Sequence, residues 1–496
     1  MARQSVLTPP RALTMDQYRR DWEPAGWQLL VIGPTATWRQ DWGEWEAIRD
    51  IVQNALDETE AYTWAFDAEG LLIRDDGRGL AVADFLLGPP RLKPPHARGK
   101  FGEGMKIAAL ALIRLGYAVK VDTVGQELWL VFLEVKVDTM AEQLAALWRP
   151  NGRTRGTVFH IIGYFGDAFA DRFAVNIPST DILHQGPSTL ARPICRLNQL
   201  IAAPPGRVYA RDIYLQSIDS PYSYNLWSFE MAPDRHGPES EAEMWEDMGR
   251  LWATVNRVEL LERFLGMVVL PFQEERDESR RVTMDYWKLG TEPVSGKAYT
   301  DIMVENAEAW REAWRRKVGA NTVLRTAERL DGTVRHLGYE PVSAHWGVEA
   351  VLGMVVKTDI GLVNESQERL REVQVVPDEQ LTPRQLAHLR LARAIAERFR
   401  FPPSPEVHAA IIPPASDRMR TAGLYGKTTQ EVFIGTDQLE WARSTVNTVV
   451  HEIAHHTSQA EDGEPAHNAA MTDVAARVVE AVAGRLLDEE LKEAVW

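Results

Sequence analysis

Apolar and polar positions repeat with two different periods along the first third of the chain. Residues 42–58, WGEWEAIRDIVQNALDE, carry apolar side chains at helical spacing, whereas residues 71–80, LLIRDDGRGL, begin as an apolar strand and end in turn residues. Residues 153–165, RTRGTVFHIIGYF, alternate as a strand, and residues 98–116 run from the glycine-rich string RGKFGEG into an apolar helix. The pattern predicts a mixed α+β domain.

Polar residues recur at particular places in these segments. Asp50 and Asn54 lie one turn apart on the first helix, where an asparagine oxygen can complete the shell of a magnesium ion and a carboxylate can orient water. Asp75 ends the first strand, where a carboxylate can accept the exocyclic amine of adenine. Glycines before a helix, such as Gly99 and Gly102, expose backbone N–H groups to phosphate. Taken singly, each feature is at least as typical of an amphipathic helix, a hairpin turn or a plain loop.

The four segments together resemble the GHKL ATPase superfamily, which includes DNA gyrase B, the large heat-shock chaperone ATPase, histidine kinases, MutL and MORC proteins. The strings NALDE and GKFGEGMK are especially close to the MORC and gyrase forms, and the resemblance covers residues 20–168. It implies a Bergerat-type α/β sandwich over residues 1–168 that binds ATP and Mg²⁺.

The resemblance implies a role for each matching position. Asn54 would bind magnesium and Asp75 the adenine ring, and residues 86–98 would form a lid over the nucleotide. Lys100 and Lys106 could meet phosphate, although a solvated lysine is an equal alternative. The positions that would shape the base pocket or wrap the phosphates are Gly77, Gly79, Gly99, Gly102, Gly104 and Thr157.

Asp50 departs from the superfamily pattern. Hydrolytic members usually carry glutamate four residues before the magnesium asparagine, and aspartate is one methylene shorter. Because catalytic geometry tolerates little misplacement, we expect slow ATP turnover and a nucleotide that acts as a switch.

The middle of the chain is predicted to pass the nucleotide state onward rather than to carry a catalytic site. Residues 169–310 alternate strand-like and helix-like segments, and gyrase-like and MutL-like relatives place a transducer domain here, often with dimerisation. A transducer-like α/β domain and an ATP-dependent homodimer are therefore expected. Residues 311–365 predict a small βαβ connector, with NTVLRTA and MVVKTDIGLV as its strands.

Residues 366–496 predict a helix, two strands and two further helices. In the helix WARSTVNTVVHEIAHHTS, His451 and His455 lie four positions apart, so both imidazoles can take one metal. Glu452 beside them can act as general base. The preceding strand, EVFIG, would be an edge strand that holds an extended peptide. This order resembles the minimal zincin metallopeptidases and implies a zincin-like α+β domain with a catalytic Zn²⁺.

A zinc hydrolase needs a third protein ligand, because catalytic sites favour three ligands and one water. His467, at the start of the closing helix, is the best candidate, with Glu464 and Asp473 as the runners-up. His456 follows the motif directly but is turned about 100° around the helix, so we interpret it as a packing or surface residue.

Length, charge and cysteine content narrow the class of protein. A chain of 496 residues predicts several domains. The net charge of −16 argues against a protein that coats nucleic acid by bulk electrostatics, although it does not exclude a local basic groove. The single cysteine, Cys195, rules out an intramolecular disulfide and fits a reducing cytoplasm. No run reaches the roughly 20 apolar residues that span a bilayer, so no membrane partner is expected.

The first functional hypothesis is an ATP-gated zinc endopeptidase that cleaves a protein substrate in the cytoplasm, in a regulatory or defence role in a bacterium or phage. The alternative is a GHKL DNA-processing or DNA-sensing ATPase whose zincin-like domain binds a partner or is structural. A chaperone-like ATPase with a degenerate tail is disfavoured, because His451, Glu452 and His455 are all intact.

Overall fold

A computed structural model of the protein describes residues 8–59, 61–85, 104–137, 139–187, 197–227, 229, 231–232, 237–269, 299–344, 346–398, 404–460, 462 and 464–496. The chain forms two compact units, one ending at Leu251 and the other beginning at Trp252. Helices and several separate sheets make this a mixed α+β multidomain protein, so the predicted fold class is confirmed at that level. The boundaries of the four domains predicted above stay predictions.

The first unit is built mostly of strands. Its helices are α1 Met15–Gln17, α2 Glu44–Thr59, α3 Gly104–Arg114 and, at its end, α4 Glu241–Ala253. Its strands are β1 Ala12–Leu13, β2 Gln28–Thr35, β3 Thr63–Phe66, β4 Gly70–Asp75, β5 Ala118–Thr123, β6 Gln126–Val137, β7 Thr139–Pro150, β8 Thr157–Ile162, β9 Ile182–Pro187, β10 Leu197–Ile201, β11 Arg207–Ala210, β12 Ile213–Ser217 and β13 Ser223–Leu226.

The main sheet of this unit has the order β2-β7-β6-β5-β8-β4-β3 within the described residues, and all of these neighbours are antiparallel. Strand β1 adds a short parallel pairing to β6. Helices α2 and α3 pack against one face of the sheet, where the predicted apolar side of α2, including Ile48, Ile51 and Leu56, is fully buried. The helical period in the sequence therefore predicted the buried face of α2 correctly.

The other face of this sheet is covered near β6 by the beginning of the chain. Trp22 and Trp27 pack there against Trp129 and Leu147. A second sheet, of order β12-β11-β13-β10-β9 in the described part of the unit, follows the first along the chain, and in it only the β11–β13 pairing is parallel.

The second unit is mainly helical. Its helices are α5 Val258–Val268, α6 Tyr299–Glu305, α7 Ala307–Lys317, α8 Asp331–His336, α9 Trp346–Leu352, α10 Asp359–Leu370, α11 Pro383–Arg398, α12 Ala442–Ser458, α13 Pro465–Ala483 and α14 Asp488–Glu493. Its strands are β14 Thr322–Leu324, β15 Glu340–Val342, β16 Gln374–Val376, β17 Glu406–Ile411, β18 Gly423–Gly426 and β19 Glu431–Gly435.

Strands β14 and β15 are parallel and flank α8, which gives a small βαβ arrangement. The first predicted strand, NTVLRTA, contains β14, but the second prediction was wrong, because much of MVVKTDIGLV lies in helix α10. Thr358 caps that helix by accepting the Gly361 N–H at 3.0 Å. The cap residue overrides the β-branched composition of the segment.

The last sheet has the order β16-β17-β19-β18 among the described residues, with β17 and β19 parallel and the other pairs antiparallel. The prediction that EVFIG is the edge strand was wrong, because β19 lies between β17 and β18. Its buried Val432 and Ile434 identify a strand but do not reveal its neighbours. Strand β18, with the short sequence GLYG, forms the edge of the sheet next to β19.

Among the helices of the described residues, none combines the length and the apolar character that crossing a membrane requires.

Candidate functional site

Helix α12 brings two histidines of the candidate metal site together. Val449 and Ile453 are fully buried and fix the helix against its sheet, while His451 and His455 project from a neighbouring face. Their Nε2 atoms are 3.3 Å apart. Two nitrogens bound to one tetrahedral zinc ion at 2.0–2.1 Å would be about 3.4 Å apart, so the pair already has the spacing of two zinc ligands.

His467 lies beside this pair. It belongs to helix α13, is only 1% exposed, and its ring centroid is 4.0 Å from that of His455 and 4.8 Å from that of His451. Its Nε2 is buried and has no hydrogen-bond partner in the described part of the chain. Its other ring nitrogen, Nδ1, lies 3.9 Å from Asp462 Oδ1 and is the atom on the side of the cluster.

The two runners-up for the third ligand lie elsewhere. Asp473 is exposed and pairs with Arg477, one turn further along α13, at 2.9 Å. Glu464 is exposed at the N-cap of α13 and lies outside the group of side chains that could share one metal ion. His456 is buried, and its Nδ1 is 3.1 Å from the Tyr425 hydroxyl, which makes it a packing residue.

Asp462 joins the histidines, and the sequence analysis missed it. Its Oδ1 is 3.0 Å from His451 Nε2, 3.3 Å from His455 Nε2 and 3.9 Å from His467 Nδ1. Although burial alone would raise the pKa of the Asp462 carboxyl, hydrogen bonds from His451 and His455 hold that pKa well below its usual range. The only sequence signal was its position in the polar turn EDGEP before His467.

Hydrogen bonds outside the cluster orient its imidazoles. His455 Nδ1 is 2.8 Å from the carbonyl oxygen of Ala460, so the Nδ1–H donates outward and Nε2 faces the cluster. The hydrogen bond to Asp462 raises the pKa of His451, whereas burial lowers the pKa of His467. The arrangement suits a site in which neutral imidazoles and one carboxylate meet a cation.

Glu452 lies between helix α12 and the edge strand β18. It is 5% exposed, and burial raises the pKa of its carboxyl to about 7, even though the Tyr425 backbone N–H donates to it. Gly423 allows the close approach, because a Cβ at that position would be 2.8 Å from Glu452 Oε1 and 2.5 Å from Thr448 Cγ2. A carboxylate that titrates near neutral pH is suited to proton transfer.

The candidate nucleotide site begins where two strands of the first unit pair. Asp75 at the end of β4 lies opposite Thr157 at the start of β8. The Gly77 N–H donates to Asp75 Oδ1 at 2.8 Å, and the Thr157 hydroxyl is 3.2 Å from that of Thr123. Burial raises the pKa of Asp75, and hydrogen bonds from the backbone N–H groups of Gly77 and Thr157 partly offset this rise. The structure thus brings together the base-pocket residues predicted from distant parts of the sequence.

Gly156 allows the two strand ends to meet. Its φ is +71°, and a Cβ there would be 2.2 Å from the Asp75 carbonyl oxygen. Its N–H donates to the Gly77 carbonyl at 2.8 Å. Gly79 follows in the same turn with a φ of +84°. A larger residue at position 156 would force these two strand ends apart.

The predicted magnesium side of this site lies where α2 meets the start of α3. Asp50 is 1% exposed, and a Cβ on Gly104 would be 1.7 Å from its Oδ2. The Asn54 side-chain amide donates to the Asp50 backbone carbonyl at 2.7 Å. Lys106 is 3% exposed, so the alternative of a solvated lysine is excluded. Predicted residues outside the described part are Gly99, Lys100, Gly102 and the segment 86–98.

A comparison with models of known protein families finds no match to this chain, and neither does a comparison with curated proteins. The resemblances to GHKL ATPases and zincins therefore stay predictions. What the two sites can do has to be judged from their own geometry.

Proposed function

We propose that this protein is a zinc-dependent endopeptidase that is controlled by ATP. The observation that carries the proposal is the convergence of His451, His455 and His467 around one point, with the buried Glu452 beside them. Three histidines can form the donor set of a catalytic zinc site, and a neighbouring carboxylate can serve as its general base. On this proposal, residues 366–496 form a zincin-like domain.

Zinc bound by the three histidines would polarise a peptide carbonyl and activate water for attack on it. Glu452 would accept the proton from that water and pass it to the leaving amine. Strand β18 is an edge of its sheet in the described residues, and an extended substrate would add backbone hydrogen bonds along it beyond the Tyr425 N–H, which donates to Glu452. The proposed substrate is therefore an extended segment of a cytoplasmic protein.

The proposed control site is a Bergerat-type pocket in the first unit. Asp75 would accept the adenine amine with Thr157 beside it, and Asn54 would hold Mg²⁺. Asp50, with its short side chain, would make hydrolysis slow, so that ATP acts as a switch and favours a homodimer through the transducer-like region. A coupling of about 1–3 kcal/mol between ATP binding and peptidase activity would be typical.

A second candidate function has one observation in its favour. Asp462 adds a carboxylate to the three histidines, and sites with four protein ligands are typical of structural zinc. The protein would then be a DNA-processing or DNA-sensing ATPase whose C-terminal domain is stabilised by zinc and binds a partner.

Replacing Asp75 by asparagine should weaken ATP binding by about 10- to 100-fold, because a hydrogen bond to a charged group contributes about 1.5–3 kcal/mol. Asp76 provides the matched control, since its side chain is 76% exposed and Asp76→Asn makes the same chemical change next door. Calorimetric titration of the full chain with ATP and Mg²⁺ measures both dissociation constants. Equal losses in the two variants would contradict the adenine role of Asp75.

The peptidase proposal is tested by mapping protein N-termini in a cell lysate. The wild-type protein and Glu452→Gln are each incubated with the lysate, with and without ATP. New termini that require Glu452 and change with ATP are expected, and they would identify the substrate. New termini that do not change with ATP would mean that ATP does not control the peptidase site. The absence of new termini would favour the structural alternative.

A further inference from the structure

Asp462 contacts two sets of partners through its two carboxylate oxygens. Oδ1 faces the three histidines of the candidate zinc site at the distances given above. Oδ2 is 3.1 Å from Nε2 of His336, the last residue of α8. One side chain thus joins the metal site to the βαβ arrangement upstream of it.

The position of Oδ1 is that of a fourth ligand. Ligand atoms of a tetrahedral zinc site lie about 3.4 Å from one another, and the three separations from Oδ1, of 3.0, 3.3 and 3.9 Å, bracket this value. A catalytic zinc site keeps its fourth position for water. The described arrangement therefore has the geometry of a closed site, in which the carboxylate takes the place that water needs.

Helix α8 is anchored to the rest of the second unit independently of His336. Val334 and Leu337 pack in one apolar cluster with Leu362 and Ala415. The Ser416 hydroxyl donates to the Leu337 carbonyl at 2.7 Å. The His336 side chain is 45% exposed, so it can turn away from Asp462 without disturbing these packing contacts of α8.

We infer that Asp462 is a displaceable fourth ligand, held in place by His336, and that loss of the His336 contact lets Asp462 move away and opens the site to water and substrate. The inference rests on the proposed peptidase function and explains how the peptidase activity would be held off. The step would be a ligand exchange, in which the Asp462 carboxylate would give up its place to a water molecule, with no electron transferred. His336 acts as a positioning residue, since it touches Asp462 and not the reacting atoms.

The test uses the full chain loaded with Co²⁺ and titrated with acetohydroxamate, a small bidentate metal ligand, while the visible spectrum is recorded. The wild-type protein should bind acetohydroxamate at least 10-fold more weakly than Asp462→Asn. His336→Ala should also bind it more tightly than wild type, and His336→Gln, which keeps an N–H donor, should restore weak binding. Asp437→Asn, which changes an exposed aspartate just before α12, is the matched control and should behave as wild type.

The outcomes separate this inference from the proposed function. Equal acetohydroxamate affinity in all variants would mean that Asp462 does not occupy the fourth position, which overturns the inference alone. Loss of Co²⁺ from Asp462→Asn would make Asp462 an obligatory structural ligand and would also overturn it. A wild-type protein that binds no Co²⁺ would overturn the proposed function and the inference together.

Discussion

Glu452→Gln is expected to lower kcat/KM for peptide cleavage by about 10²–10⁴-fold while the protein keeps its metal, because general base catalysis contributes a factor of that size. Glutamine has the same shape and can still accept the Tyr425 N–H, but it cannot take a proton from water. The carboxylate is well placed for this task. It is buried beside the histidines, and a cation bound there would favour its ionised form and bring its pKa down from about 7.

The measurement compares cleavage of a substrate peptide by purified wild type and variant, with the zinc content of each sample determined in parallel. Glu480→Gln makes the same chemical change at an exposed position of α13 and should leave both quantities unchanged. If Glu452→Gln cleaved at the wild-type rate, Glu452 could not be the base. If it lost its zinc, its role would be structural.

Short-range periodicity was enough to predict some parts of this protein. The helical repeat of α2 predicted which side chains, such as Ile48 and Leu56, are buried. The spacing of His451 and His455 predicted that their rings share a face, because side chains four apart on a helix are neighbours. These features depend only on local geometry, which the sequence encodes directly.

Features that depend on how turns and strands are arranged in three dimensions were not predicted. Asp462 lies in a turn, where no period indicates which side chains point toward the histidines. The edge position of β18 depends on pairing with β19, which the alternation of neither strand reveals. The first five residues of helix α10 were mistaken for part of a strand, because the apolar segment before Asn364 gave no sign that the Thr358 cap begins a helix within it.

The candidate nucleotide site shows the same contrast. Asp75 and Thr157 are distant in sequence, and their common place at an expected base pocket came from the GHKL resemblance rather than from any period. Their pairing across β4 and β8 is a finding of the structure. The resemblance did not predict that the Asp50 carboxylate would lie so close to Gly104 that any side chain there would collide with it. That contact arises from the packing of α2 against the start of α3.

His467→Ala should lower the zinc affinity of the protein by roughly 10²–10³-fold. Structural zinc in small domains is bound with an apparent free energy of about 10–16 kcal/mol, which corresponds to about 2.5–4 kcal/mol for each of four ligands. Removal of this ring would leave His451, His455 and Asp462 with one ligand too few on the side of α13. Competition with a coloured zinc chelator measures the affinity.

His456→Gln distinguishes a lost ligand from a general loss of packing. His456 and His455 are adjacent and equally buried at 9% exposure, but His456 faces Tyr425, and its ring lies outside the metal cluster. The variant should lose about 1 kcal/mol of stability with the Tyr425 hydrogen bond and keep its zinc affinity. Similar zinc losses in both variants would mean that packing of α12, rather than direct coordination, holds the metal. A loss in His467→Ala alone would identify the closing helix as the source of the third ligand.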